Sequence, residues 1–244
     1  MADRVEITVL VENYIDIFLP STPVARYPVS GKESELWAEQ GLSLWIEAFE
    51  RGKSVRILYD FGLSEKVFSH NVKILGIYLG TTDFLVLSHG HVDHWGSLQR
   101  VLRRTPEQCR LLVHPEATRK TRYIRLPDGN YVGPWKMRRN VVQEFGSRIR
   151  ADAHPSNLGM GVYTSGEIER RTPFELGMPN AFVKVKNEKV HDEIEDDQCL
   201  LIDLKGKGVI VITGCCHAGV VNTLLTCQKV FPGKRVHADR KSVV

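Results

Sequence analysis

Phe84-Leu85-Val86-Leu87-Ser88-His89-Gly90-His91-Val92-Asp93-His94 decides the reading of this chain. Four consecutive apolar residues at 84–87 read as a fully buried strand. The strand delivers the chain into a loop holding three histidines and an aspartate. An H-x-H-x-D-H string arises by chance in about one chain in a thousand of this histidine content, so it is a signal and not noise. His89 and His91 can turn to the same side, while Asp93 and His94 come round the start of the next helix to face a second point nearby. Imidazoles and a carboxylate in that order are ligand types for zinc or iron, and they can serve two metals about 3.5–4 Å apart.

Outward from the loop, the pattern is that of alternating strands and helices. Residues 5–11 (VEITVLV) form a β-branched first strand. Tyr14 to Glu33 contains three prolines and no clear period, so it reads as a long loop. Leu42, Leu44 and Ile46 approximate a period of two, Glu50-Arg51-Gly52-Lys53 supplies a turn, and Val55, Ile57 and Tyr59 alternate again, which predicts a hairpin. Ser64 is placed to cap a helix carrying Val67, Phe68, Asn71, Val72 and Leu75. After the histidine loop a helix is expected through Leu98, Val101 and Leu102, then a strand at 111–113. The arginine-rich stretch 119–150, with Pro127-Asp128-Gly129-Asn130 and Gly133-Pro134, reads as a hairpin or flap. Further strands are expected at 162–164, 181–185, 199–204 and 209–213, then a helix from Ala218 to Lys229. No repeat or linker divides the chain, so one α/β domain with a layered sheet core is expected.

Composition narrows the class. The 244 residues are 42% hydrophobic and 25% charged, which excludes disordered, collagen-like and coiled-coil chains. No apolar run reaches the roughly 20 residues of a membrane span, and the first ten residues lack the basic-then-apolar order of a signal peptide. The five cysteines show no C-x-x-C spacing, which fits reduced thiols and a cytoplasmic location. Net charge is +4, but residues 100–150 carry 13 Lys/Arg against 4 Asp/Glu, leaving 20 against 25 elsewhere. That local positive field is either a solvated surface or a mouth that attracts phosphate-bearing substrates.

Ser88-His89-Gly90-His91-Val92-Asp93-His94, with Y-D-F-G at 59–62 one helix earlier, resembles the metallo-β-lactamase fold superfamily. Further motifs are N-x-x-x-L-G from Asn71, V-H-P-E-A at 113–117, T-S-G-E-I-E-R at 164–170, D-D-Q-C-L at 196–200 and T-G-C-C-H-A-G-V-V-N-T-L at 213–224. Together they resemble its dihydropteroate-synthase-like subfamily, whose members are named 7,8-dihydropterin-6-methyl-4-(β-D-ribofuranosyl)-aminobenzene-5′-phosphate synthase, of methanopterin biosynthesis. The resemblance implies an αββα sandwich with two divalent metal ions, zinc first and manganese or iron as alternatives. It places one ion on His89, His91 and His217 and the other on Asp93, His94 and a further ligand. Asp93, His94 and Asp60 are then the residues expected to carry catalysis, with Asp60 orienting the histidine loop. Cys215 stands where many members have a bridging aspartate, and it is either a thiolate near a metal or a small core residue. Asn13, His114 and Glu167 are candidate substrate contacts, and the substrate implied is a small anionic molecule.

The subfamily pattern continues with a further strand and a last histidine, resembling G-G-F-H-L. Here Val236-His237-Ala238 looks like the start of that strand, and DRKSVV at 239–244 resembles a translated sequencing adapter. The expectation is therefore an incomplete domain at 1–238 with a non-native tail at 239–244, lacking its last strand and loop, holding one ion tightly and impaired in activity. The default reaction is metal-assisted hydrolysis of a phosphoester, or a diphosphate-releasing synthesis as the subfamily name implies. A nucleic-acid-processing hydrolase is the first alternative, weakened by few aromatics beyond Tyr123, Tyr131 and Trp135 in the basic stretch. An iron redox protein and an inactive fragment are the others. No membrane partner is expected, nucleic acid is disfavoured, and the sequence leaves the oligomeric state open.

Overall fold

The computed structural model describes residues 1–16, 18–26, 35–137 and 139–240. Period-two segments build its first sheet. β1 (Arg4–Val11), β2 (Ser43–Glu50) and β3 (Lys53–Tyr59) run antiparallel, and the β2–β3 connection is Arg51-Gly52, both at positive φ (49° and 77°). Two such residues give the two-residue turn whose twist matches the flanking strands. α1 (Glu65–Ile74) starts at Ser64, whose hydroxyl accepts the Val67 N–H at 3.4 Å. β4 (Phe84–Val86) then adds parallel to β3, and α2 (Val92–Trp95) and α3 (Leu98–Arg104) lead to β5 (Arg110–Val113), parallel to β4.

The arginine-rich stretch holds more structure than a flap. α4 (Pro115–Arg119) precedes the hairpin β6 (Arg122–Arg125) and β7 (Tyr131–Trp135), and α5 (Arg139–Phe145) leads to β8 (Ile149–Ala151), which closes the first sheet beside β5. β8 is three residues long with one apolar side chain among its first two, too little for a period to show. β9 (Ser156–Gly159) and β10 (Val162–Thr164) begin a second sheet. β11 (Ala181–Val185) and β12 (Glu188–His191) join β6 and β7 in a small third one. β13 (Cys199–Leu204), β14 (Gly208–Thr213), α6 (Val220–Val230) and β15 (Val236–Arg240) complete the described chain. α6 begins at Val220 and not at Ala218, because Gly219 sits at φ 99°, outside helical space.

The sheet orders are β1-β2-β3-β4-β5-β8, β15-β14-β13-β10-β9 and β12-β11-β6-β7. Alternation along the strands divides the apolar residues into three layers. Leu44, Ile46, Ile57, Tyr59, Val86 and Leu112 of the first sheet pack against Val162, Leu200, Ile202 and Ile212 of the second. Their strand neighbours Trp45, Leu58, Leu85 and Leu111 face Phe68, Val101 and Leu102 of α1 and α3. Cys199, Leu201, Val209 and Val211 face Cys227 and Leu224 of α6 on the far side. The result is helix, sheet, sheet, helix. Burying each such Leu or Ile stabilises the fold by about 1.5–3 kcal/mol.

The loop expected at 14–33 forms no helix or strand among its described residues, and positions 17 and 27–34 lie outside them. Asp239 and Arg240 are part of β15, which runs parallel to β14, and Arg240 bonds Glu12 at 2.6 Å. Residues 241–244 of the expected tail lie outside the described residues.

Candidate metal centre

Three strand ends meet at one edge of the sandwich. β3 ends just before Asp60, β4 runs into the histidine loop, and β14 runs into Gly214-Cys215-Cys216-His217. β3 and β4 are parallel, so both present their C-terminal ends on the same side. Gly214 lets the β14 loop close in: a Cβ there would lie 2.4 Å from Ser88 Oγ and 3.4 Å from Asp60 Oδ2.

The loops bring ring nitrogens and a thiol together. His89, His91 and His217 offer ligand atoms within 4.8 Å of one another, and so do His89, His94 and Cys215. His89 Nε2 and His91 Nδ1 lie 3.0 Å apart, and His94 Nε2 lies 3.1 Å from Cys215 Sγ. Asp93 sits beside the second group, with Oδ2 3.8 Å from His94 Nε2. His91 Nε2 is buried and has no hydrogen-bond partner. Ring nitrogens of several histidines held this close, with a thiol beside them, fit a cation better than a core packing role. Imidazole nitrogen and thiolate sulfur are the donor set that zinc and iron favour.

Asp60 is fully buried and sits in left-handed backbone space at φ 58°, which short polar residues tolerate better than most. Its Oδ1 accepts the Ser88 N–H and its Oδ2 the Ser88 hydroxyl, both at 2.7 Å, and Oδ2 lies 2.6 Å from His94 Nδ1. With its Nδ1 proton held by Asp60, His94 presents a basic Nε2 to Cys215. Ser88 Oγ also lies 2.9 Å from His89 Nδ1, so one hydroxyl and one carboxylate set two imidazoles.

Electrostatics separates the histidines. Burial, followed by the neighbouring histidines, holds His89 and His91 well below the usual imidazole range, so both are neutral at pH 7 with lone pairs to share. Burial pulls His94 the same way, but Asp60 and Cys215 outweigh it and lift His94 well above that range. Burial raises the Cys215 thiol, against the opposing pull of His94.

The segment Asp192 to Gln198 holds both loops from behind. Asp196 Oδ2 accepts the N–H of Gly90, the residue between His89 and His91, at 2.7 Å. Asp197 Oδ2 accepts the N–H of Ala218, next to His217, also at 2.7 Å. Gln198 donates its backbone N–H to Ser88 O and its side-chain amide to Leu87 O. Burial, with Asp196 beside it, pushes Asp197 up to about 7 despite the Ala218 bond. Arg122 lies buried between Asp192 and Asp196, bonding each, and Lys120 bonds Asp192 at 2.8 Å. Gly90 has no room for a side chain, since a Cβ would meet Arg122 Nη1 at 2.1 Å. The sequence offered one signal for this brace, the D-D-Q motif, with no role attached to it. Arg122 and Ser88 gave none.

The other expected residues fall as follows. His114, at the end of β5, is buried with Nε2 3.5 Å from Glu167 Oε2, so these two are brought together. Asn13 Oδ1 accepts the Gly41 N–H at 2.9 Å, and Gly41 packs against the Asp93 carbonyl. Asn13 therefore supports the backbone behind Asp93. Cys109, Cys199, Cys216 and Cys227 are buried free thiols.

Layer order and sheet topology define the class: this is a metallo-β-lactamase fold. A solved structure described as a metal-dependent hydrolase of the β-lactamase superfamily superposes with a TM-score of 0.67 at 23% identity, covering 98% of this chain and 76% of that one. The chain is 30% identical over 213 residues to the 7,8-dihydropterin-6-methyl-4-(β-D-ribofuranosyl)-aminobenzene-5′-phosphate synthase of Methanocaldococcus jannaschii, covering 86% of this chain and 72% of the relative. It belongs to that synthase's family. An uncharacterized protein of the same organism is 28% identical over 205 residues, covering 83% of this chain and 72% of that protein. No family model matches the chain. No helix among the described residues is long and apolar enough to cross a membrane.

Proposed function

We propose that this protein is a metal-dependent enzyme acting on a small molecule that carries a phosphate or diphosphate. One divalent cation is held by His89, His91 and His217, and a second by His94 with Asp93 and Cys215. The observation that carries this reading is the convergence of two groups of ligand atoms, His89 with His91 and His217 and His89 with His94 and Cys215, each within 4.8 Å. Zinc suits the donor set best, with manganese or iron as alternatives. When bound, the cations supply an activated water and neutralise charge on a phosphate or diphosphate oxygen.

The protein's own groups then have distinct tasks. Asp60 fixes the His94 tautomer and, through Ser88, the orientation of His89. Asp196 and Asp197 hold the two loops at a fixed separation. His114 and Glu167, 3.5 Å apart, are candidate contacts for polar groups of the substrate. Asn13 steadies the Asp93 side of the mouth. The name of the synthase relative narrows the substrate to a dihydropterin and a ribofuranosyl-aminobenzene 5′-phosphate. If the dihydropterin enters as its methyl diphosphate, the aminobenzene amine forms the new C–N bond as the C–O bond to diphosphate breaks, and the bound cations would neutralise the departing diphosphate.

The test combines elemental analysis with two assays on the metal-loaded protein. Diphosphate release from a dihydropterin diphosphate that requires the aminobenzene partner supports the synthase. Phosphate release from simple esters without that partner supports a hydrolase of the same class. A protein that binds no zinc, manganese or iron above background overturns both.

A further inference from the structure

The small sheet β12-β11-β6-β7 turns one face away from the metal centre, and the pairing registers define what that face carries. Tyr123, Phe182 and His191 lie directly opposite one another across β6, β11 and β12. Arg125 and Lys184 are two residues further along their strands, Lys189 is two residues before His191, and Tyr131 pairs with Arg125. Residues at a spacing of two share a face. Tyr131 meets Phe182 edge-on at 5.3 Å and Tyr123 at 6.3 Å, and the Lys189 ammonium stands 4.1 Å above Tyr131 and 4.8 Å above Tyr123.

The charges on this face are of one sign. Arg125, Lys184 and Lys189 are exposed, and among the described residues none of them has a carboxylate within ion-pair distance. Lys184 and Lys189 are paired directly across β11 and β12. Like charges directly opposite destabilise a sheet, so the fold tolerates a repulsion here that a polyanion would relieve. Glu188 alternates to the opposite face. Carboxylates stand at its border: Glu193, bonded to His191, and Asp128 in the β6–β7 turn, bonded to Asn130.

We propose that this face binds single-stranded nucleic acid. Three rings from three neighbouring strands cluster here, with Tyr123 and Phe182 both at 87° to Tyr131, and exposed aromatic rings of this kind suit bases stacked on them. The flanking cations would track the phosphates, with Lys189 moving from the tyrosine rings to a phosphate as a base arrives. A second copy of the chain fits poorly, since a two-fold contact would set this cationic face against itself. The proposal is independent of the metal centre, which touches only the opposite side of β6 through Arg122.

The test is fluorescence anisotropy with a labelled oligothymidylate and a labelled oligouridylate of about a dozen nucleotides, on intact and on chelator-treated protein. Binding is expected in both states, weakening steeply between about 50 and 200 mM salt. Tyr131→Ala combined with Phe182→Ala should weaken it at least about tenfold. Lys184→Gln with Lys189→Gln should flatten the log–log salt slope by about 0.7 per lysine. Both double variants should keep the wild-type metal content and circular dichroism spectrum. No binding at the lower salt overturns the proposal. So does binding that the aromatic variant leaves unchanged, which would be charge attraction alone. Self-association of the protein that the same variants abolish also overturns it, and assigns the face to a contact between copies.

Discussion

The metal mouth and the outer face of the small sheet are built from similar residue types to opposite ends. At the mouth, histidines and carboxylates are buried and interlocked: Asp60 meets Ser88 and His94, and Asp196 meets Gly90 and Arg122. On the outer face, Lys184, Lys189 and Arg125 are exposed beside tyrosine rings and have no carboxylate partner among the described residues. β6 belongs to both regions. Arg122 is 1% exposed and holds the brace, while Tyr123, one residue on, belongs to the outer face. Burial is what separates the two regimes, because a charge removed from water must find a partner and one left in water need not.

The largest expected effect comes from breaking the buried side of that strand. Arg122→Met would leave Asp196 without its counter-charge and Asp192 with Lys120 alone, at a cost of about 3–5 kcal/mol. Arg125→Met on the outward side should change stability by no more than about 0.5 kcal/mol. Urea unfolding of the two variants measures this directly, and equal losses would erase the distinction between the faces.

A smaller effect isolates the mouth from the fold. Asp60→Asn keeps the shape but removes the negative charge that makes His94 basic. Zinc affinity should fall about 10- to 100-fold with the circular dichroism spectrum retained. Unchanged affinity in a competition titration would remove Asp60 from the centre.

The smallest effect is a matter of pH. Burial pushes the Asp192 carboxyl up, but Arg122 and Lys120 outweigh it and hold it below the ordinary range. A carboxylate lowered in the folded state contributes stability above its unfolded value of about 3.9, lost as pH falls through the folded value. The melting temperature should therefore decline on acidification below about pH 4, and that part of the profile should be flatter in Asp192→Asn. An acid limb of equal steepness in both proteins would mean that other carboxylates set it.

The sequence by itself determined the elements that repeat a local pattern. Alternation at 42–59 yielded the β2–β3 hairpin, Ser64 marked the start of α1, and the histidine string marked the mouth, because these signals lie within a few residues of one another. Short or polar elements such as β8, β9 and β12 were not legible, since three or four residues carry no period. Only the tertiary structure decided which histidines meet. His217 joins His89 and His91 from more than 120 residues away, and Cys215 stands against His94, because β14 of the second sheet ends at the same edge of the sandwich as β4 of the first. The brace from Asp192 to Gln198 and the Arg122 between its carboxylates belong to the same category. Nothing local distinguishes a buried arginine from a solvated one in a basic stretch. Its partners lie some 70 residues further along the chain, and only folding removes the water that would otherwise satisfy its charge.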